Sequence, residues 1–304
     1  MRPVATAIAF ALASSLVPIP STARPVQETF ASPELAASAL ANAVRAADVK
    51  ALLAVVGPDS KSWIFTGDEV ADRTDWKTFL DAYDRKNRVE KQGDAKAILA
   101  LGDGDWPFPA PLVMKNGRWA FDAQAGREEV LNRRIGSNEL GAIQTLYAIV
   151  DAQRTYAATD ADGNGMPDYA ARFISTPGKK DGLYWDPSAG GESPLGPLVG
   201  AATAQGYSAK GSGKPQPYYG YLYRIITAQG KDAHGGAYDY RVNGRLFGGF
   251  AVVAYPARYD VSGVKTFMVN HEGVVYEKDL GPATGSRSAA MSVYNPDKSW
   301  QKSQ

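Results

Sequence analysis

Cysteine is absent from the sequence, and histidine occurs only twice in 304 residues. Without cysteine the chain has no disulfide, no thiol nucleophile and no cysteine to which a lipid could be attached. The two histidines, His234 and His271, lack the paired spacing of a zinc site, and no Gly-x-Ser-x-Gly motif accompanies them. The sequence therefore favours a protein without catalytic activity.

A surplus of charge is also lacking, because Lys and Arg total 33 and Asp and Glu total 32. Surfaces that bind nucleic acid or anionic lipid concentrate positive charge. The glycine-rich run 244–249 follows a strand pattern but leads into another strand, which is the wrong context for a phosphate-binding loop. We therefore expect no nucleic-acid partner.

The first residues predict an export signal. Arg2 supplies the positive end, residues 4–17 supply the apolar core, and small residues at 21–23 place a cleavage site after Ala23. An uncleaved anchor is the alternative, but the apolar run is shorter than the roughly 20 residues that span a bilayer. We expect residues 1–23 to be a signal peptide, the mature protein to be periplasmic or secreted, and no transmembrane segment to remain.

The mature chain of about 280 residues is long enough for two domains. In residues 30–124 a helical hairpin begins at Ser32-Pro33-Glu34, and a third helix covers 72–87. Strands follow, with a hairpin turn at Asn116-Gly117. This order, ending in LVMKNGRWAFD, resembles NTF2-like domains, in which a helical hairpin and a curved antiparallel sheet form a cone. The resemblance implies an internal pocket that is either a ligand site or filled core.

The third helix carries an apolar stripe, with Trp76, Phe79, Leu80 and Tyr83 at spacings of three and four residues. Such a stripe is more often part of a core than of a ligand site, and we assign it to the core. No histidine and no convincing acid–base pair lies in this half, so catalysis is not expected there.

Residues 125–136 predict a linker helix, either rigid or a hinge, and Ser137 can cap a long helix that ends near Ala158. The expected buried stripe of the long helix comprises Leu140, Ile143, Leu146, Tyr147, Val150 and Ala157, with Ile149 and Tyr156 outside it. Strands are expected at 218–229, 247–255, 265–269 and 274–279. We expect residues 283–304 to be a tail that is only partly ordered.

The segment AIQTLYAIVDAQRTYAATD, followed by a Gly- and Pro-rich stretch and a small antiparallel sheet, resembles the globular part of type IV pilins and pseudopilins. Those proteins polymerise through an N-terminal, uniformly apolar helix, whereas this helix is internal and carries Gln144, Asp151 and Arg154. The resemblance therefore implies the fold of residues 137–282 and not fibre formation. The expected fold class is α+β, with two domains.

Directly after that helix lies the stretch DADGNGMPD, which has the spacing of a calcium-binding loop. Calcium takes several oxygen ligands, and such loops supply them from alternate positions. The expected ligands are the side chains of Asp160, Asp162, Asn164 and Asp168 and the carbonyl oxygen of Met166.

The calcium spacing has one gap, because Ala171 occupies the twelfth position, where a bidentate carboxylate is expected. Asp181, Glu192, a more distant carboxylate or water would have to complete the coordination. The alternative is a polar turn in which aspartate side chains bond to the backbone without an ion. We expect a structural Ca²⁺ site.

The mature chain as a whole resembles a bacterial family catalogued as domain of unknown function 2950. The resemblance is carried by segments spread over nearly the entire chain: FASPELAASALANAVRAAD, GDGDWPFPAPLV, GRWAFDAQAGREEVLNRRIGSNELGAIQ, FISTPGKKDGLYWD, GESPLGPLV, GGAYDYRVNGRLFGGFAVVAYPARY and VYEKDLGP. It implies an exported bacterial protein and brings no activity with it.

Two functional hypotheses follow from these patterns. The first is a non-catalytic cell-envelope protein, a binding or scaffolding module with a structural calcium site, whose partner is an envelope protein or a small ligand. The second is a hydrolase acting on an envelope polymer, with a cleft lined by the aromatic and charged loop at 179–192. The missing catalytic constellations favour the first.

Overall fold

The computed structural model describes residues 26–205 and 216–303, so the predicted signal peptide at 1–23 lies outside the described residues. Seven α-helices occur in these ranges: α1 Pro33–Arg45, α2 Val49–Val56, α3 Lys61–Ile64, α4 Glu69–Arg85, α5 Ala123–Thr159, α6 Gly196–Ala204 and α7 Thr284–Ala290. None of these described helices is long and apolar enough to cross a membrane.

Fourteen strands occur in the same described ranges. The first five are β1 Asn87–Lys91, β2 Lys96–Leu101, β3 Trp106–Pro107, β4 Leu112–Lys115 and β5 Arg118–Phe121. The others are β6 Tyr221–Ile226, β7 Ala228–Gln229, β8 Tyr238–Asp239, β9 Arg241–Val242, β10 Arg245–Leu246, β11 Ala251–Pro256, β12 Lys265–Asn270, β13 Tyr276–Asp279 and β14 Gln301–Lys302.

The N-terminal half packs helices on a five-stranded antiparallel sheet of order β1-β2-β4-β5, with β3 paired to β2. The β4–β5 hairpin turns at Asn116-Gly117, whose φ angles of 51° and 75° fit the predicted two-residue turn. The Ser32 side chain accepts a hydrogen bond from Leu35 N and caps α1, as predicted. Side chains from α1, α2, α4 and the sheet meet in one hydrophobic cluster.

The C-terminal half contains a five-stranded antiparallel sheet of order β14-β13-β12-β11-β6. Strand β11 is buried along nearly its whole length, and both α5 and α7 contact it. The prediction of a partly ordered tail at 283–304 is wrong, because this segment forms α7 and the edge strand β14. Trp300 is buried, and Gln301 pairs with Glu277 of β13, so the tail completes the sheet.

Helix α5 joins the two halves as a single 37-residue helix. The predicted break between a linker helix at 125–136 and a second helix capped by Ser137 is wrong, since Ser137 lies in the helix interior. The N-cap is Asp122, whose carboxylate accepts hydrogen bonds from Gln124 N and Ala125 N at 3.2 Å each. Residues 125–136 are therefore part of one continuous helix. The α+β class is confirmed, whereas the two-domain division and the NTF2-like and pilin-like resemblances stay predictions.

The buried face of α5 differs from the predicted stripe. Leu140 and Tyr147, which we assigned to it, are 62% and 45% exposed, whereas Ile149 and Tyr156, which we placed outside it, are buried. The true face includes the fully buried Gln153. A polar residue in the middle of the buried face hid it from a search for apolar periodicity.

Two glycines of α5 permit close packing, one near the start of the helix and one at its middle. A Cβ atom at Gly126 would lie 2.5 Å from the Cβ atom of Ala110, and one at Gly141 would lie 2.6 Å from the ring of Tyr219. Gly136, between them, has no neighbour within 4 Å. The first two glycines are therefore required for packing, whereas Gly136 is only a weak point of helix propensity.

Candidate functional site

A cavity of about 640 Å³ opens between α1, α2, α4 and α5. Its volume is that of a site for a drug-sized ligand, and its lining is mainly aliphatic and aromatic. Members of the lining include Leu40, Leu52, Trp63, Trp76, Trp106 and Phe108. Asn138 and Gly220 complete the wall. We call this cavity the N-terminal pocket.

A row of three aspartates, at the N-cap and in the first two turns of α4, lines the N-terminal pocket. Asp68, Asp72 and Asp75 all line it, and their spacing of four and three residues sets them on one helical face. Asp68 caps the helix, since its Oδ1 accepts hydrogen bonds from Val70 N and Ala71 N at 3.1 Å each. Asp68 therefore stabilises the N-terminus of α4.

The Asp72 side chain is buried, and both of its carboxylate oxygens contact Thr66. Its Oδ1 accepts hydrogen bonds from Thr66 N at 3.1 Å and from Thr66 Oγ1 at 2.7 Å, and its Oδ2 lies 3.2 Å from Thr66 N. Burial raises the pKa of Asp72, while the Thr66 hydrogen bonds act in the opposite direction. Asp72 therefore fixes the segment that precedes α4.

Asp75 is the exception in this row. Its side chain remains 64% exposed, and its ion-pair partner is Arg134, whose Nη2 lies 3.9 Å from Asp75 Oδ2. Burial by the surrounding protein raises the pKa of Asp75, although most of the side chain is accessible to solvent. Asp75 thus presents an accessible carboxylate to the cavity.

Arg134 comes from α5 and is only 12% exposed. It donates a hydrogen bond to the carbonyl oxygen of Trp63 at 2.6 Å. Burial lowers the pKa of Arg134, while Asp75 and Asp72 counteract this shift. Its ordinary pKa is so high that the guanidinium stays charged.

The rim of the N-terminal pocket is formed by Trp106 and Arg133. The Arg133 guanidinium lies 5.0 Å from the centre of the Trp106 ring, a cation–π contact, and its Nε donates to Glu129 Oε1 at 2.6 Å. Gly220 of the C-terminal half lies in the wall, and Arg258 of the same half, outside the lining, donates to the carbonyl oxygens of Phe65 and Ser62. Both halves of the protein therefore shape this cavity.

The apolar stripe of α4, assigned to the core, has two roles. Trp76, Phe79 and Leu80 pack against the hydrophobic cluster, but each stays partly accessible, and Trp76 and Phe79 line the N-terminal pocket. Sequence reasoning also missed Asp75 and Arg134. Their signal was the acidic row beside the aromatic stripe on a predicted core helix.

The predicted calcium loop begins where α5 ends. Asp160 adopts a left-handed conformation at φ 45°, and its carboxylate oxygens accept hydrogen bonds from Asn164 N and Gly165 N at 2.9 Å each. Such bonds are those of a polar turn. Met166 is exposed, and its carbonyl oxygen accepts a hydrogen bond from Asp168 N at 3.0 Å.

Arg245 of β10 reaches into this loop. Its Nη2 lies 2.5 Å from Asp162 Oδ2, and its Nε lies 2.7 Å from Asp168 Oδ2. The Asn164 amide donates to both aspartates. These carboxylates raise the pKa of Arg245. The structure thus brings the predicted ligands Asp162, Asn164 and Asp168 together around a guanidinium.

Two contacts hold the loop in place for Arg245. The Gln153 side chain of α5 donates to the carbonyl oxygen of Ala170 at 2.9 Å and accepts from Ala170 N at 2.8 Å. Tyr169 N donates to the carbonyl oxygen of Leu246 at 2.9 Å. In the described residues no group of three or more His, Cys, Asp or Glu side chains is placed to hold a metal ion. The calcium site stays a prediction.

A second, larger cleft of about 1200 Å³ lies along residues 174–189. Three carboxylates line it, and each is hydrogen-bonded: Asp162 to Arg245, Asp181 to Thr176, and Asp186 to Ser188 N. Glu192, which we had placed in this cleft, is exposed and lies outside its lining. The cleft is therefore present, but its acids stabilise the loop.

The two histidines lie together at the edge of the C-terminal sheet. His234 Nδ1 lies 2.6 Å from Glu272 Oε1. His271 packs edge-on against Tyr240, and burial lowers its pKa. Within the part of the chain that the structure describes, neither ring is hydrogen-bonded to a serine.

Comparison with known proteins agrees with the family identified from the sequence. No curated protein and no solved structure matches the chain. A family described as "Protein of unknown function (DUF2950)" matches residues 27–303, which include nearly every described residue. The α4 aspartates, Arg134 and the Asp-rich loop at residues 160–168 all lie within the matched residues. The chain belongs to the DUF2950 family.

Proposed function

We propose that this protein is a non-catalytic binding module of the cell envelope whose ligand site is the N-terminal pocket. The observation that carries the proposal is the cavity of about 640 Å³, mainly apolar, with a small number of polar groups converging on it. Cavities of this size and character are the usual sites of small ligands. The rise in the pKa values of Asp72 and Asp75 supports the same location.

The polar groups of the pocket favour binding over catalysis. Among the pocket residues, Thr66 has a hydroxyl that contacts an aspartate. This hydroxyl donates a hydrogen bond to Asp72 Oδ1 and accepts one from Asp68 N at 2.9 Å. Both contacts belong to the start of α4. No side chain among the described pocket residues is thereby arranged as a nucleophile with a free base beside it.

Filling the pocket tests the proposal. The purified mature protein is titrated with N-phenyl-1-naphthylamine, an apolar fluorescent probe, and we expect one saturable site. Ala71→Phe places a ring in the cavity and should weaken binding at least about tenfold. Arg73→Phe is the matched control, since Arg73 lies two residues away on the outer face of α4. Absence of saturable binding by the wild type, or equal binding by Ala71→Phe, would overturn the proposal.

The envelope location rests on the proposal that residues 1–23 direct export and are removed after Ala23. The N-terminal sequence of the protein recovered from a bacterial host tests this directly. We expect Arg24 as the first residue, in the periplasm or the medium. An intact Met1 in the cytoplasmic fraction would contradict it.

We also propose that residues 30–124 are an NTF2-like domain and that residues 137–282 are a pilin-like domain. The separate hydrophobic clusters of the two halves support this division. The pocket between the helices, with Trp106 of β3 at its rim, supports the cone-shaped arrangement of the first half.

Calcium enters the proposal as a structural ion that exchanges with Arg245. Asp162 and Asp168 carry two negative charges, and both carboxylates pair with the single guanidinium of Arg245. Asn164 Oδ1 is buried without a hydrogen-bond partner, and an amide oxygen is a calcium ligand. We expect Ca²⁺ and Arg245 to compete for the same carboxylates.

A hydrolase acting on an envelope polymer is the second candidate, favoured by the cleft of about 1200 Å³ beside the 179–192 loop. The test is turnover of purified cell-wall polymer by the wild type and by Asp181→Ala. Turnover that the variant loses would favour this candidate over the binding module. A wild type without turnover would eliminate it.

A further inference from the structure

The charged groups of the N-terminal pocket point to the chemistry of its ligand. We infer that the pocket takes an amphiphile with an apolar body and one protonated amine, and that the ammonium group contacts the Asp75 carboxylate. The inference rests on the proposed ligand site and adds the charge and orientation of the ligand.

The balance of charge in the cavity is negative. Three lining carboxylates, Asp68, Asp72 and Asp75, face two lining guanidinium groups, Arg133 and Arg134. Arg133 is already paired with a glutamate and stacked at the rim, so only Arg134 offsets the acids inside. An unbalanced negative charge in an apolar cavity attracts a cation more strongly than it would in water.

Asp75 is the acid left to meet a ligand. Asp68 is bonded to the backbone of α4, and Asp72 is bonded to Thr66. Asp75 has Arg134 at 3.9 Å, which is beyond hydrogen-bond distance, and its side chain is accessible. A donor on the ligand can therefore approach its oxygens without displacing a contact of the protein.

Arg134 is poorly placed to receive an anion instead. It donates to the Trp63 carbonyl oxygen at 2.6 Å, and the nearby Asp72 and Asp75 oppose any further negative charge. Trp63, Trp76 and Trp106 add apolar surface to the same cavity. Apolar walls with a single carboxylate thus fit the two ends of a hydrophobic amine.

Three ligands with the same chain and different heads test the inference: decylamine, decanol and decanoate. An alkylamine is protonated at pH 7, as the lysine side chain is. Three tryptophans line the pocket, so binding is followed by tryptophan fluorescence and confirmed by calorimetry. We expect decylamine to bind at least about tenfold more tightly than decanol, and decanoate to bind most weakly.

Asp75→Asn identifies the group responsible. The variant should bind decanol as the wild type does and should lose the preference for decylamine. Asp103→Asn is the matched control, since Asp103 is an exposed acid outside the lining and should leave the preference unchanged. Ala71→Phe should reduce binding of all three ligands.

The outcomes separate this inference from the proposed function. Equal binding of decanol and decylamine, or tightest binding of decanoate, would overturn the amine and leave the pocket as a ligand site. Failure of all three ligands to bind would contradict both. A preference for decylamine that survives in Asp75→Asn, or decylamine binding that Ala71→Phe leaves at the wild-type level, would show that the amine is recognised elsewhere and would overturn the inference.

Discussion

Each half of this protein sets an arginine beside two aspartates, and the two clusters differ in how closely the charges meet. In the Asp-rich loop, Arg245 contacts Asp162 at 2.5 Å and Asp168 at 2.7 Å. In the N-terminal pocket, the distance from Arg134 to Asp75 is 3.9 Å. The first cluster consists of charge-assisted hydrogen bonds, and the second is a loose pair facing a cavity.

This difference separates a structural cluster from a binding cluster. The loop acids share a guanidinium that ties residues 160–168 to β10, so their charges are used within the fold. Asp75 has an accessible carboxylate with no direct hydrogen bond from the described residues, and such a group is available to a ligand. Both clusters contain the same residue types, so the distance between arginine and aspartate distinguishes the structural role from the binding role.

Breaking the close cluster should have the largest effect. Arg245→Gln leaves the buried Asp168 without its cation, and we expect a loss of about 2 kcal/mol in the free energy of unfolding. That corresponds to a fall in thermal midpoint of about 4–8 °C. Arg241→Gln is the matched control, because its pair with Asp239 is exposed and should cost under about 0.5 kcal/mol. Equal midpoints for the two variants would contradict the comparison.

Calcium should recover most of that loss. At 100 times its dissociation constant, a ligand of the native state adds about 2.7 kcal/mol. We expect millimolar Ca²⁺ to raise the thermal midpoint of Arg245→Gln by several degrees relative to EDTA, and to raise that of the wild type less, since Arg245 competes. If the variant does not respond and Asp162→Ala behaves alike with and without calcium, the loop is a turn and not a calcium site.

Neutralising one acid in each cluster should change stability in opposite directions. Asp168→Asn weakens a bond to Arg245 and should destabilise the protein by about 1–2 kcal/mol. Asp75→Asn removes a desolvated charge near Asp72 and should raise the free energy of unfolding by a few tenths of a kcal/mol, a small figure because the side chain is solvent-accessible. Urea unfolding of both variants measures the two signs. A destabilised Asp75→Asn would show that the loose pair is structural.

The smallest expected effect is on the pH dependence of stability. The native pKa of Asp75 is raised, so between the unfolded pKa near 3.9 and the native value the folded state binds more protons. Stability from this group is therefore highest at low pH and falls as pH rises. The advantage of Asp75→Asn over the wild type should grow between pH 3 and 7. The charged groups that act on Asp75 are Asp68 and Asp72 on its own side and Arg134 of α5, and Arg133 also lines the pocket. An advantage that shrinks with pH would contradict the raised pKa.

Local signals predicted local structure. Ser32 caps α1, the Asn116-Gly117 turn forms a hairpin, and the Asp-rich loop follows a helix, because each depends on neighbouring residues. The break expected at Ser137 failed because a cap residue also fits inside a helix when tertiary packing continues on both sides.

The clusters themselves depended on contacts that no local pattern contains. Arg245 lies 77 positions beyond Asp168, and only pairing of Tyr169 with Leu246 brings them together. Arg134 of α5 reaches Asp75 of α4 at the N-terminal pocket, which both helices line. The sequence showed the acids and the basic residues, but which of them would meet was decided by tertiary packing.

The continuous α5 connects the two clusters mechanically. Arg134 and Gln153 stand on the same helix, and 19 residues at a rise of 1.5 Å separate them by about 28 Å. A rigid helix transmits a rotation or a shift along its whole length. A ligand that moved Arg134 on binding would therefore alter the free energy of the loop held by Gln153. By thermodynamic reciprocity, a cation bound in that loop would alter affinity in the pocket by the same factor.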